Sequence, residues 1–258
     1  MKTAPSLFVG HGSPRDTLIE TEAARGWRAV AKRIGRPSAI LCISAHWETK
    51  GILITRAERP RIIHDFYGFP DHFYAIDYPV LGDPALADRI ENRLDTFRAR
   101  ADRDSWGLDH GSWTVLRWMY PKADVPVLQL SLDLRRSAKE HFALGQAIAG
   151  LRDEGVMILG SGNIVHNLQV SRPRGDETFS WAGSFDDIVI DRIIAGDLAS
   201  LVDYRTLPDA ASAVPESEHF LPLLYVLGAA RPGEPPQVFN RQVLASVSMT
   251  CVGYGIPD

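Results

Sequence analysis

Residues 39–46 read AILCISAH, a short apolar run that ends in a histidine. A run of this length and composition is typical of a buried strand. Two other segments have the same form: residues 6–11 read SLFVGH, and residues 156–166 read VMILGSGNIVH. In an open α/β sheet, ligands bind just beyond the carboxyl ends of the strands. We therefore predict that the histidines that follow these three runs come together at one edge of a sheet.

Strand-like and helix-like segments alternate along the whole chain, which favours an α/β fold. The predicted strands are residues 7–10, 39–45, 51–55, 125–132, 156–160 and 244–254. The predicted helices are residues 16–34, 84–98, 112–120, 138–152, 185–195 and 216–229. We expect a single-domain sandwich spanning residues 1–258, with a central mostly parallel or mixed sheet and helices on both faces.

The composition limits the classes of function that the chain can have. Of the 258 residues, 45% are hydrophobic and 23% are charged, as in an ordinary soluble protein. The net charge of −4 argues against an electrostatic nucleic-acid binder. No segment approaches the ~18 consecutive apolar residues of a membrane span, and the N-terminus has no signal-peptide pattern. Cys42 and Cys251 lie in apolar runs, so we expect reduced thiols and a cytoplasmic location. The oligomeric state is not predicted.

Five of the eight histidines are candidates for a metal site. His11, His46 and His166 follow predicted strands, whereas His110 in GLDHGSW and His219 in PESEHFLPLL lie at predicted helix starts. Neutral imidazole is a common ligand of zinc, iron and copper. The chain has no HExxH and no paired CxxC motif. Spacing alone therefore leaves a metal site and a set of structural histidines as open alternatives.

An aromatic-rich segment, residues 64–79, reads HDFYGFPDHFYAIDYP. It is either a loop that packs its own rings or one wall of a pocket for a flat ligand. Five aromatic residues could sandwich such a ligand, although core packing is expected for most: Trp47, Phe66, Tyr67, Trp113 and Tyr254. The substrate-binding residues are not predicted. We interpret His64, His72 and His141 as structural.

Six motifs occur in a fixed order along the chain: VGHGSP, ISAHW, IHDFYGFP, GLDHGSW, SGNIVHNL and EHFLPLLYVLGA. In this combination the chain closely resembles the DOPA 4,5-dioxygenase group of the class III extradiol ring-cleavage dioxygenases, which are relatives of protocatechuate 4,5-dioxygenase. The motifs run from residue 9 to residue 229, so the resemblance covers essentially the whole chain. It implies a single-domain α/β fold with one divalent metal ion.

The resemblance also implies roles for the five histidines. The metal-binding residues would be His11, His46 and His219. His166 would be either a fourth metal ligand or a catalytic base, two roles that compete. His110 would face substrate and oxygen without binding the metal. His110 and His166 are therefore the predicted catalytic residues.

The third ligand sets the choice of metal. Ring-cleaving relatives hold Fe(II) with two histidines and a carboxylate. Here the third motif offers His219, with Glu216 and Glu218 nearby. If residues 216–220 are helical, Glu216 could share the face of His219, whereas Glu218 points elsewhere. An all-imidazole site suits Zn(II), so we expect zinc in the protein as isolated and Fe(II) for turnover.

The resemblance implies a small aromatic substrate and O2 as partners, with no nucleic acid and no membrane. A catechol would bind through both hydroxyl oxygens, and a neutral histidine would take a proton. Oxygen insertion would then open the ring to a semialdehyde. The ring could belong to DOPA, another catechol or an aminophenol. Two alternatives remain: a zinc-dependent hydrolase, and a non-catalytic metal-binding interaction protein. Consumption of O2 during turnover discriminates the dioxygenase from both.

Overall fold

The computed structural model describes residues 3–102, 105–170 and 177–257. Strands and helices alternate along these residues. The strands are β1 (Ser6–Gly10), β2 (Ala39–Glu48), β3 (Leu53–Thr55), β4 (Arg100–Asp102), β5 (Val127–Leu132), β6 (Val156–Gly162), β7 (Gln237–Phe239), β8 (Val243–Leu244), β9 (Val247–Ser248) and β10 (Cys251–Tyr254). The helices are α1 (Glu22–Ile34), α2 (Asp71–Tyr74), α3 (Pro84–Arg93), α4 (His110–Met119), α5 (Ala138–Ile148), α6 (Ser180–Ala195), α7 (Leu198–Val202), α8 (Ala210–Ala213) and α9 (Leu221–Ala229).

The central sheet has eight strands among the described residues, in the order β4-β3-β5-β2-β6-β1-β10-β7. Its four middle strands, β5, β2, β6 and β1, are parallel to one another. On one side β3 runs antiparallel to β5, and on the other β10 runs antiparallel to β1. The prediction of a mostly parallel or mixed sheet is confirmed.

Each face of the sheet supports its own apolar core. Along β2, Leu41 and Ile43 belong to the core that contains α3, α5, α6 and α9. Ile40 and Cys42 point the other way, into the core that contains α1 and α4. Side chains of a strand alternate between the two faces of a sheet, so this division confirms helices on both faces. Cys42 and Cys251 are free and buried, as predicted.

Several predicted bounds were wrong for identifiable reasons. The first helix begins at Glu22 rather than at residue 16, because the Thr21 side chain caps the Ala24 N–H. The last helix begins at Leu221 rather than at residue 216, with a proline in its first turn. The predicted strand 244–254 is instead a short hairpin of β8 and β9, followed by β10. The turn of the hairpin contains Ala245, whose φ is 54°. The edge strands β4 and β7 were missed.

Across the part of the chain that the structure describes, no helix combines the length and the apolar character that a bilayer crossing requires.

Candidate functional site

Three parallel strands, β2, β6 and β1, lie side by side and bring their histidines to one edge of the sheet. His11 immediately follows β1, and its N–H donates to the Gly162 carbonyl at the end of β6 (3.1 Å). His46 lies inside β2, two residues before the strand ends at Glu48. His166 lies four residues beyond β6. The strand order therefore brings the three histidines to the same edge of the sheet, as predicted.

Two more histidines reach the same edge from helix starts. His110 is the first residue of α4, where the Asp109 carboxylate caps the helix by accepting from the Ser112 N–H. His219 lies in the turn before α9. The ring centroids of His46 and His110 are 4.0 Å apart, and those of His11 and His219 are 5.4 Å apart. All five candidate histidines therefore form one cluster.

Within this cluster, two groups of side chains are close enough to hold a metal ion. The first is His11, His46 and His110, and the second is His166, Glu218 and His219. In each group one ligand atom per residue lies within 4.8 Å of the others. The His166 and His219 rings are stacked, with centroids 3.4 Å apart and planes at 11°.

Four imidazoles have a polar partner beside Nδ1. His110 and His219 have hydrogen bonds there, to Asp65 Oδ2 at 2.9 Å and to Glu218 Oε1 at 3.0 Å. An ionised carboxylate only accepts, so these two rings carry their proton on Nδ1. His46 Nδ1 lies 3.3 Å from Asp65 Oδ2.

The fourth imidazole is fixed by a hydroxyl. His11 Nδ1 lies 3.0 Å from Ser161 Oγ, which already donates to the Gly111 carbonyl. Ser161 Oγ must therefore accept from His11 Nδ1–H. The other nitrogen, Nε2, is left unprotonated, and it lies 3.0 Å from Nε2 of His46. In the His46 tautomer with its proton on Nδ1, two lone pairs face one another there. A bound cation satisfies both, and metal-binding histidines typically have their other N–H held in this way.

Burial keeps the cluster neutral. Burial and the neighbouring histidine charges lower the pKa of His11 and of His219 well below the ordinary value. Burial lowers the pKa of His46 to about 3 and that of His166 to about 4. Burial raises the pKa of Asp65, but its hydrogen bonds with His110 and the charges of His110 and His46 outweigh this and lower it overall. The site therefore presents neutral imidazoles, the form that binds metals.

The prediction about the two glutamates near His219 was wrong. Residues 216–220 are not helical, because α9 begins only at Leu221. Glu218, which was expected to point elsewhere, contacts His219 Nδ1. Glu216 instead accepts from the Gln169 side chain at 3.2 Å. Burial, followed by the charge of Glu216, raises the pKa of Glu218.

The aromatic segment 64–79 packs its own rings and also touches the cluster. Phe66 meets the edge of the His110 ring at 5.8 Å, and it contacts Phe69 at 5.1 Å. Trp47 and Trp113 are buried in the core, whereas Tyr67 is 91% exposed. Tyr254 lies buried in β10. Among the candidate aromatics, Phe66 is the one whose ring contacts a histidine of the cluster.

The three remaining histidines lie outside the cluster. His141 is buried in α5, and its Nδ1 lies 2.9 Å from the Tyr225 hydroxyl. His64 Nε2 contacts the Ile76 carbonyl at 2.9 Å, and His72 packs against Phe73. Their structural interpretation agrees with these contacts.

Sequence reasoning missed the residues that orient the imidazoles. Asp65 and Ser161 both lie inside motifs that were quoted, yet no spacing rule connects residue 65 with residue 110. Gly111 was missed as well. A Cβ added there would meet His46 Cδ2 at 2.8 Å and His11 Cε1 at 3.1 Å. The glycine after His110 was the available signal, since glycine allows close approach of neighbouring groups.

Comparisons with known proteins agree with this geometry. A family model described as the catalytic LigB subunit of aromatic ring-opening dioxygenase matches residues 4–257. A protein of Escherichia coli K12 named 4,5-DOPA dioxygenase extradiol is 43% identical over 256 residues, covering 97% of this chain and 94% of the relative. A protein of the same name from Beta vulgaris is 37% identical, covering 87% and 86% of the two chains. A crystal structure of an uncharacterized protein from Escherichia coli K12 superposes with a TM-score of 0.85 at 38% identity, covering 97% of this chain and 99% of the other.

Proposed function

We propose that this chain, which belongs to the LigB family of aromatic ring-opening dioxygenases, opens the ring of a DOPA-like catechol with O2. Extradiol dioxygenases are oxidoreductases that use O2 to cleave aromatic rings, and those of this family use a single metal ion. The observation that carries the proposal is the meeting of His11 and His46 at the sheet edge, where their Nε2 atoms lie 3.0 Å apart, with the His219 ring at a similar distance from both. Three buried imidazoles that converge in this way suit a metal site.

We propose His219 as the third metal ligand. Metal–nitrogen bonds of about 2.0–2.1 Å place three imidazole centres about 5 Å from one another around a tetrahedral ion. The centroid distances among His11, His46 and His219 are 5.0, 5.1 and 5.4 Å. The corresponding distances from His110 are uneven, 4.0 Å to His46 and 5.9 Å to His11. The near-equal triangle favours His219 over His110.

The stacking of His166 on His219 favours a proton-carrying role for His166. The lone pair of a ring nitrogen lies in the plane of its ring. Two parallel rings 3.4 Å apart therefore point their lone pairs side by side rather than at one ion. With His219 as a ligand, His166 would lie beside the site without binding the metal. We propose that it serves with His110 as an acid or base.

His110 is placed to receive a proton from the substrate. Its Nδ1–H donates to Asp65, so its Nε2 is an acceptor. Its ring lies against Phe66, which we propose forms one wall of the substrate pocket. A metal ion in the site would supply Lewis acidity toward the catechol hydroxyls, and an Fe(II) ion would also activate O2. General acid–base groups of this kind typically contribute ~10²–10⁴-fold to the rate.

The identity of the metal, the domain organisation and the cellular location are proposals too. An all-imidazole site contributes no negative charge, so we propose Zn(II) in the protein as isolated and Fe(II) in the active form. We propose that residues 1–258 act as one catalytic domain, because β1, β2 and β6 of the same sheet all contribute to the site. The two free, buried thiols are consistent with a cytoplasmic location.

The experiment is anaerobic reconstitution of the full chain with Fe(II), followed by oxygen-electrode measurements with catechol, DOPA, protocatechuate and an aminophenol. We expect O2 uptake with at least one of these and a yellow semialdehyde product. His46→Ala, treated identically, is the control and should remain at background. Background uptake with every substrate, from a chain shown to hold iron, contradicts the proposed function.

A further inference from the structure

One carboxylate, that of Asp65, touches two histidines of different proposed roles. Its Oδ2 lies 2.9 Å from His110 Nδ1 and 3.3 Å from His46 Nδ1. Its Oδ1 accepts from the His110 backbone N–H at 2.9 Å. Both imidazoles and the carboxylate are largely buried, with exposed side-chain fractions of 21% for His46, 10% for His110 and 15% for Asp65. The three side chains therefore form one bridged unit.

The bridge determines which nitrogen of each ring carries the proton. An ionised carboxylate has only acceptor sites, so His110 Nδ1 donates to it and His110 Nε2 is unprotonated. His46 Nδ1 lies 3.3 Å from the same oxygen, and the negative charge there favours a proton on Nδ1 and a free Nε2. For His46 this is the tautomer that a metal ligand needs, and for His110 it is the tautomer that accepts a proton.

The carboxylate itself is held in place. The backbone N–H of His110 fixes Oδ1, so the Asp65 side chain cannot rotate away without losing a buried hydrogen bond. The neighbouring Phe66 packs against the edge of the His110 ring. The segment that carries Asp65 is thereby fixed to the start of α4, and the position of both imidazoles depends on it.

We propose that Asp65 is a positioning residue that sets the tautomer of His46 and His110 together, and so couples metal binding to proton transfer. Its effect on turnover rests on the proposed function, but its effect on the two rings does not. A merely structural Asp65 would anchor the segment 64–79 without controlling either tautomer. The two roles predict different outcomes in an experiment that reads the imidazole nitrogens directly.

The experiment compares wild type, Asp65→Ala and Asp65→Asn, as full chains loaded with Zn(II) and labelled with 15N-histidine. Nitrogen NMR reports the tautomer of His110, and competition with a chelator reports zinc affinity. In wild type we expect the Nδ1–H tautomer of His110. In Asp65→Ala it should shift toward Nε2–H, and zinc affinity should fall about 10–100-fold, as is typical when a group that orients a ligand is removed.

Asp65→Asn makes the test sharper and does not depend on how the alanine variant folds. An asparagine offers one acceptor oxygen, and its NH2 group donates. It must therefore direct its NH2 group either at the imidazoles or at the His110 backbone N–H. In the first case the His110 tautomer should change, and in the second the backbone hydrogen bond is lost and the zinc affinity should fall. Asp71→Asn, at an exposed carboxylate of the same segment, is the matched control and should leave both readouts at wild-type values.

Wild-type tautomer and wild-type zinc affinity in both Asp65 variants would overturn the proposal, as would an Nε2–H tautomer of His110 in wild type. If the tautomer and affinity change as expected while the iron form of wild type consumes no O2, the positioning role stands and the proposed function fails. The two conclusions are thus separable.

Discussion

At the scale of single residues, the chemistry depends on which histidines bind the ion and which remain free to carry protons. His110 has an acceptor on its Nδ1 and an aromatic ring at its edge, and it departs from the near-equal triangle of His11, His46 and His219. His166 is stacked on His219. These contacts distinguish the proposed metal ligands from the two proposed proton carriers, His110 and His166. Substitutions can therefore test the two roles separately.

His110→Phe should retain its metal and lose ~10²–10⁴-fold in turnover, because phenylalanine keeps the ring but carries no proton. His166→Phe should behave in the same way. Elemental analysis and oxygen uptake, measured on the same samples, check both. If His110→Phe loses the metal, His110 is a ligand. If His166→Phe loses the metal, His166 is a ligand despite its stacking on His219.

Gly111→Ala should reduce turnover by about 10²-fold or more, since displacing reacting groups by ~1 Å has an effect of that size. The added Cβ would lie 2.8 Å from His46 Cδ2 and 3.1 Å from His11 Cε1, so the rings must move. Gly183→Ala is the control, because a Cβ there meets nothing within 4 Å. It lies inside α6 and should leave turnover unchanged while stabilising the fold by ~0.5–1 kcal/mol. Equal turnover in Gly111→Ala and Gly183→Ala would show that a Cβ at residue 111 does not displace the imidazoles.

The sequence allowed the histidine cluster to be predicted, but not its supports. His11 and His166 follow strands and His46 lies near the end of one, and the carboxyl ends of parallel strands meet at one edge of a sheet. The pairing of Asp65 with His110 joins residues 45 positions apart and follows no periodicity. Only the folded loop brings them together.

At the scale of elements, the start of α4 connects the helix to the sheet beneath the site. The Asp109 carboxylate caps the Ser112 N–H and also accepts from the Ser44 hydroxyl at 2.7 Å and the Gln129 amide at 2.7 Å. Burial, followed by the charge of Asp65, raises the pKa of Asp109. One buried side chain thus joins α4 to β2 and β5.

Asp109→Ala should lower the free energy of unfolding by about 2–4 kcal/mol, of which the lost cap supplies ~1 kcal/mol and the unpaired buried polar groups the rest. Asp83→Ala, at the cap of α3, removes one bond to the Leu86 N–H and should cost only ~1 kcal/mol. Urea denaturation of the two variants checks the difference. An Asp109 effect no larger than that of Asp83 would mean that the links to Ser44 and Gln129 contribute nothing.

The start of α9 shows why element bounds were harder to predict than element types. The apolar run after His219 indicated a helix correctly. Its start was placed at residue 216, although Pro222 is suited to the first turn of a helix and not to its interior. That five-residue error reversed the expected roles of Glu216 and Glu218.

At the scale of the whole molecule, stability should depend on pH through His141. Burial, followed by the charge of Arg136, lowers the pKa of His141 to about 4. The unfolded chain therefore binds this proton first as the pH falls below about 6.5. The contribution of His141 to the free energy of unfolding should decrease between pH ~6.5 and ~4 and level off below, and it amounts to at most ~3 kcal/mol.

His141→Leu should flatten this dependence relative to wild type. Tyr225→Phe removes the hydrogen bond but keeps the imidazole, so it should keep the slope. Denaturant unfolding at several pH values measures both. An identical slope in wild type and His141→Leu would show that His141 does not titrate between the folded and unfolded states.

The proposed function requires that the chain inserts oxygen from O2 into a catechol ring, rather than adding water to a substrate. The most direct test is turnover of the Fe(II)-loaded chain under 18O2 in ordinary water, with mass spectrometry of the product. We expect a ring-opened product whose carboxylate carries one 18O atom, with one O2 consumed per catechol. A product whose new oxygen comes only from water, formed without O2 consumption, would contradict it and would identify a hydrolase instead.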